Sequence, residues 1–194
     1  MRSLSLLPAL WRSPVSDAVV ALVRPQAGER VVDLGAGMGP ATVQAAGSGA
    51  HVLAVDPSAF MRRLLSLRLL ASAHRGHVTV LDGAAESLPL DAASIDALWT
   101  VNTVHHWTSV ASAAAELRRV LRPGGRLLLV DEAFDDPAHP FSAQVRGHAR
   151  RFADVDPAAI ADLLRSHGFI DVVGGFEPVA GRPARVIRAT APVP

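Results

Sequence analysis

The chain contains no cysteine and no tyrosine, and all 19 of its basic side chains are arginine, so lysine is missing as well. Without cysteine there is no disulfide, no thiolate zinc site and no thiol nucleophile. The other two absences remove the phenolic general acid, the Schiff-base lysine and the phosphate-loop lysine. No apolar run reaches the roughly 18 residues of a membrane-spanning helix, because arginine or aspartate interrupts each candidate. The N-terminal MRSLSLLPALWR has a short apolar stretch, but Pro8 interrupts it and Arg12 ends it. It reads as an arm packing on the domain rather than a secretion signal, and a cytoplasmic location is expected. The formal net charge is +1 beside a sequence pI near 9.0, a pairing that arises because almost nothing titrates between histidine and arginine. The chain is therefore read as near-neutral, with no nucleic-acid partner expected.

What is present is an aliphatic globular composition, 49% hydrophobic over 194 residues, which predicts one domain over 1–194. Within it an arm is expected over 1–14 and an insertion covering the substrate over 134–152. Five short apolar runs, 30–37, 51–57, 77–83, 95–102 and 125–133, end in Gly, Asp or Asn, Pro or Ala and read as buried strands. Helical stretches separate or flank them. Ser13-Pro14 is an N-cap and first-turn pair, Pro40 to Ala46 stops at Gly47, and Thr108 to Leu121 stops at Pro123-Gly124-Gly125. Ser58 to Ala73 carries Phe60, Leu64, Leu67 and Leu70 at helical spacing, and Asp156-Pro157 opens a last helix ending at Gly168. Two final strands, Phe169 to Val173 and Ala184 to Thr190, have no helix between them. The alternation predicts an α/β fold with a doubly wound, mostly parallel seven-stranded sheet and an antiparallel C-terminal hairpin at one edge.

In such a sheet ligands bind beyond the carboxyl ends of the strands, so the strand-to-helix loops carry the chemistry. The first is Asp33-Leu34-Gly35-Ala36-Gly37-Met38-Gly39-Pro40. Its alternating glycines let backbone amides approach a ligand, but the third glycine of a dinucleotide fingerprint falls on Pro40. Asp56 ends the second strand, the usual position of an acid that accepts ribose hydroxyls. Asp82-Gly83-Ala84-Ala85-Glu86-Ser87-Leu88-Pro89, Asn102-Thr103-Val104-His105-His106-Trp107 and Glu116 to Gly125 follow in order. In this order and spacing the chain, from about residue 15 onward, resembles the class I S-adenosylmethionine-dependent methyltransferases of small-molecule type, with their Rossmann-like fold.

The resemblance implies S-adenosylmethionine as cofactor, held by Asp33, Gly35, Ala36, Gly37, Asp56, Pro57, Met61, Gly83, Ala84, Ala85, Val101 and Asn102. Asp33 is expected to order the glycine loop and favour the methionine amine, and Asp56 to bind the ribose. Where the family's adenine-side loop carries an acid, this chain has Ala84, so the backbone of Ala84 or Ala85, or the carboxylate of Asp82 or Glu86, is expected to substitute. Met61, Leu64 and Leu65 read as core, with Met61 also within reach of adenine; Asp96 should organise the start of the fourth strand, and Trp107 should line the substrate pocket. His105 and His106 are the candidate catalytic bases, with local packing as their alternative role.

His139, His148 and the acids Asp131, Glu132, Asp135 and Asp136 match no metal-ligand spacing, so no metal is expected. Arg146, Arg150 and Arg151 lie on an expected helix from Phe141 to Phe152, either solvated or facing an anionic acceptor. The function implied is methyl transfer to a small molecule, at oxygen or carbon rather than nitrogen, by a chain that can form a homodimer. The alternatives are a cofactor-binding protein without transfer and a protein or RNA methyltransferase.

Overall fold

Aliphatic β-branched runs bounded by turn residues become the strands of one sheet in the computed structural model, which describes residues 13–143 and 155–194. In chain order these are α1 (Pro14–Val23), β1 (Arg30–Leu34), α2 (Pro40–Ala46), β2 (His51–Val55), α3 (Ala59–Leu69), β3 (Val78–Leu81), β4 (Ile95–Val101), α4 (Val110–Val120), β5 (Leu121–Glu132), α5 (Pro157–Ser166), β6 (Ile170–Val179) and β7 (Arg182–Thr190). Single 3-10 turns occupy Arg75–His77 and Val104–His106. The sheet order is β3-β2-β1-β4-β5-β7-β6; the strands from β1 to β5 pair in parallel, and β7 is antiparallel to both its neighbours. The doubly wound reading and the C-terminal hairpin are both present in this order.

Period-two alternation sorts the sheet's side chains onto two faces. Val32, Leu34, Leu98 and Leu129 pack with Leu117 of α4 and Ile160 and Leu164 of α5, while Val31, Trp99 and Val130 pack with Val15 and Val19 of α1 and Ala45 of α2. The helix starts follow the capping residues: the side chains of Ser13, Ser58, Ser109 and Asp156 each accept a backbone N–H from the first turn they open. At the amino end of the sheet, Asp96 accepts the Arg30 N–H at 2.7 Å and pairs with Arg122, the organising role expected of it.

Several local expectations are corrected. The strand expected to end at Val173 runs as β6 through Gly174-Gly175 to Val179. A Cβ at Gly174 would sit 2.3 Å from the Pro157 carbonyl oxygen, so the glycine there permits close approach of α5 to the strand. The hairpin instead turns at Ala180-Gly181, both with positive φ (51° and 74°), the backbone of a tight two-residue connection. The strand expected to start at Gly125 is already paired at Leu121, with a register shift between the Ile95 and Ala97 pairings that accommodates Pro123-Gly124-Gly125. On α3, Leu65 and Leu69 face the sheet, whereas Phe60, Leu67 and Leu70 point to solvent. Phe141 to Ala143 form a turn; the rest of the helix expected over 141–152, with Arg146, His148, Arg150 and Arg151, lies outside the described residues, as do residues 1–12 of the arm.

Candidate functional site

The glycine loop between β1 and α2 is held open by its own backbone. Gly35 and Ala36 donate their N–H groups to the Val55 carbonyl at the end of β2, at 2.8 and 3.1 Å, and Gly37 donates to Asp56 Oδ2 at 2.8 Å. Gly35 has φ of 73°, and a Cβ there would lie 2.1 Å from Thr103 Cγ2, so the loop after β1 and the loop after β4 touch only because residue 35 is glycine. Asp56 uses its other oxygen to accept the Ser58 N–H at 2.8 Å, joining the glycine loop to the first turn of α3.

Asp33 is buried beneath this loop, accepting the Thr42 hydroxyl at 2.5 Å. Burial pushes its carboxyl up to about 6, against the pull of the Thr42 hydroxyl and backbone N–H and of the Trp99 indole beside it; the Asp56 charge adds to the rise. An anion so buried is costly, and a cation brought near it relieves the cost.

A cavity of about 560 Å³ lies over the carboxyl ends of β1, β2 and β4, within the range of small-molecule sites. Asp33, Gly35, Ala36, Gly37, Asp56, Pro57, Met61, Ala84, Ala85, Val101 and Asn102 all line it, with His106 and Trp107. Gly83 is not among the lining residues: its Cβ would press on Pro89 and Val55, at 2.8 and 2.9 Å, so it serves the packing of the loop. Of the side chains weighed to replace the acid missing at Ala84, Asp82 is turned away and gripped by both Arg62 Nη atoms at 2.9 and 3.0 Å. Glu86 does line the cavity, accepting from Thr108 and Ser109; these bonds outweigh its partial burial and hold its carboxyl below the usual range. The Ala84 N–H and carbonyl pair with Ser87, leaving Ala85 and Glu86 nearest to hand.

The two histidines part company. His106 lines the cavity, while the buried His105 ring donates from Nδ1 to Asp131 Oδ2 at 2.6 Å, with its centroid 4.0 Å from that of His106. Asp131, at the end of β5, also accepts the backbone N–H groups of Thr103, Val104 and His105 at 2.9, 3.2 and 3.2 Å, so one carboxylate fixes the whole turn after β4. Its neighbour Glu132 accepts Asn102 Nδ2 at 2.8 Å, His139 Nε2 at 3.0 Å and Arg182 Nη1 at 2.9 Å. Asn102 Oδ1 in turn accepts the Glu132 N–H at 2.7 Å, which holds Asn102 in the left-handed region, φ 58°, on the cavity wall. Asp135 is held by two bonds from Arg185, at 2.8 and 2.6 Å. The acids of this stretch are thus spent on arginines, histidines and backbone donors, and no group of three metal-ligating side chains is found among the described residues.

Sequence reasoning placed Asp131 and Glu132 in a cluster with His139 but did not pair Asp131 with His105. The signal available was position alone: Asp131 closes a parallel strand adjacent to the one that ends before His105. Ser13 and Ser16, in the first turn of α1, line the cavity without any sequence signal beyond the helix cap.

Residues 32–129 match the family model described as a methyltransferase domain. An uncharacterized methyltransferase of Mycobacterium bovis is 45% identical over 112 residues, 58% of this chain and 43% of that protein. A ubiquinone/menaquinone biosynthesis C-methyltransferase of Rubrivivax gelatinosus is 38% identical over 119 residues, 61% of this chain and 45% of that protein. The chain spans less than half the length of either relative. Among solved structures, a SAM-dependent methyltransferase from Aquifex aeolicus superposes with a TM-score of 0.73 at 17% identity, covering 91% of this chain and 89% of the other. The sheet order, the glycine loop and the match over residues 32–129 converge, and the chain belongs to the S-adenosylmethionine-dependent methyltransferase family.

Proposed function

We propose that this chain transfers the methyl group of S-adenosylmethionine to a hydroxyl oxygen, or to a carbon activated by an adjacent hydroxyl, of a small molecule in the cytoplasm. The observation that carries the reading is one cavity lined at one end by the glycine loop and Asp56, and at the other by His106 and Trp107 backed by the buried Asp131–His105 pair. When bound, the cofactor supplies an electrophilic methyl group on a sulfonium. This chain's residues supply alignment and proton handling.

Asp33 and the Gly35 to Gly37 loop would hold the methionine end, the Asp33 carboxylate favouring its ammonium. Asp56 would take the ribose hydroxyls, and Pro57, Met61, Ala85 and Glu86 the adenine, with Val101 and Asn102 completing the wall. Displacement at a sulfonium disperses charge, so positioning contributes most of the rate. Oxygen and enol or phenol carbon acceptors also lose a proton, and His106 stands on the cavity wall to accept it. The Asp131–His105 pair fixes that turn and supports the build-up of positive charge beside it. A carbon acceptor is in keeping with the Rubrivivax relative's name as a C-methyltransferase.

The test is turnover of S-adenosylmethionine to S-adenosylhomocysteine with a panel of phenols, enols and amines, read by mass spectrometry. Phenols or enols are expected to react, and His106→Ala to slow them about 10²- to 10⁴-fold. Turnover with amines only, or no turnover with any acceptor, contradicts the reading. The second outcome favours a cofactor-binding protein without transfer, the alternative motivated by Ala84.

A further inference from the structure

Helix α3 is apolar on two opposite sides. Leu65 and Leu69 are buried against the sheet, as a surface helix requires. Phe60, Leu67 and Leu70, at positions that share the opposite face, are 64%, 64% and 68% exposed, and the half-buried Leu64 lies between them. Three large side chains at that exposure present on the order of 300 Å² of apolar surface, the scale of the largest patch on a typical monomer, which is often functional.

The charge around this face is predominantly positive, with Asp82, bonded to Arg62, the acid beside it. From Pro57 to Leu81 the chain carries Arg62, Arg63, Arg68 and Arg75 and no aspartate or glutamate. Arg63 falls within the apolar face itself and is exposed, as is Arg75 just beyond the helix. Arg62 and Arg68 flank it, the first gripping Asp82 and the second donating to the Met38 carbonyl at 2.9 Å.

We infer that the outer face of α3 docks this protein onto an anionic lipid surface, with Phe60, Leu67 and Leu70 entering the headgroup boundary and Arg63 and Arg75 meeting lipid phosphates. An apolar face that carries Arg63 and is flanked by further arginines matches an interfacial helix. A second copy of the same face is disfavoured, because α3 carries Arg62, Arg63 and Arg68 and no carboxylate, and the neighbouring Asp82 is already held by Arg62. A nucleic acid matches the arginines but leaves the leucines without an apolar partner. Ser58 and Met61, in the N-cap and first turn of the same helix, line the cavity, so the helix that docks is also a wall of the site.

The test is sedimentation of the full chain with vesicles of phosphatidylcholine alone, or of phosphatidylcholine with about 30% phosphatidylglycerol. The wild type is expected to partition at least tenfold more strongly into the anionic vesicles, with the difference shrinking as salt rises. The triple variant Phe60→Ser, Leu67→Ser, Leu70→Ser is expected to lose at least tenfold in partitioning. Its S-adenosylhomocysteine affinity and melting curve report that the fold is intact. Arg63→Gln with Arg75→Gln is expected to lose severalfold. Three outcomes overturn the inference: wild type left in the supernatant, triple variant sedimenting like wild type, or a wild-type dimer that the triple variant converts to monomer without any vesicle binding.

Discussion

The two ends of the cavity are built by different means. At the glycine-loop end the side-chain hydrogen bonds are local: Asp33 meets Thr42 nine residues away, and Asp56 meets Gly37 nineteen away. At the histidine end they are distant, with Asp131 reaching His105 across 26 residues and Glu132 reaching Arg182 across 50. The first end is backbone shaped by glycine; the second is a turn suspended from two carboxylates at the end of β5. A loop of the first kind fixes a common ligand by shape, whereas side-chain networks of the second kind vary without disturbing the sheet. The division suits a shared cofactor and an acceptor particular to the protein.

The sharpest break of this comparison is Asp131→Asn. An amide keeps an acceptor for the turn but replaces the charge that His105 faces, so turnover is expected to fall about 10²- to 10⁴-fold. Calorimetric S-adenosylhomocysteine affinity should stay within about threefold of wild type. Equal losses of both mean the two ends are one cooperative unit.

Gly35→Ala is the converse break. With positive φ and a Cβ 2.1 Å from Thr103, the loops must part, and cofactor affinity is expected to fall at least about 30-fold. Gly37→Ala shares the positive φ, 54°, but meets nothing closer than 4.0 Å, so its loss in the same titration should be only severalfold.

Asp33 offers a smaller, pH-dependent effect. Its folded carboxyl titrates about 6 against an ordinary 3.8, so the folded state holds the proton more tightly. Stability from this group is therefore full below about pH 4 and declines as pH rises toward 6, by at most about 3 kcal/mol. Asp33→Asn should raise the melting temperature at pH 7 and remove this slope. Cofactor affinity should move the other way, rising roughly tenfold in wild type between pH 5 and 7 as the carboxylate forms, and staying flat in the variant.

How much of this was legible follows from the same division. The glycine loop, Asp56 and the serine and aspartate caps were readable because each acts within a few residues of its signal. The Asp131–His105 pair was not, because its partners meet only once β4 and β5 lie side by side. The helical spacing of Phe60, Leu64, Leu67 and Leu70 announced an apolar face and Leu65 read as core, yet nothing showed that Leu65 and Leu69 alone would take the sheet and leave that face outside. Gly174-Gly175 misled for a related reason: a glycine allows close approach as readily as a turn, and only α5 packed on β6 tells which.

The central claim is that the cavity over β1, β2 and β4 is a cofactor site organised by Asp56. Titrating S-adenosylhomocysteine into wild type and Asp56→Ala in a calorimeter tests it directly. The account predicts saturable one-to-one binding by the wild type and at least tenfold weaker binding by the variant. No saturable heat with wild type, or the same affinity in both, contradicts it.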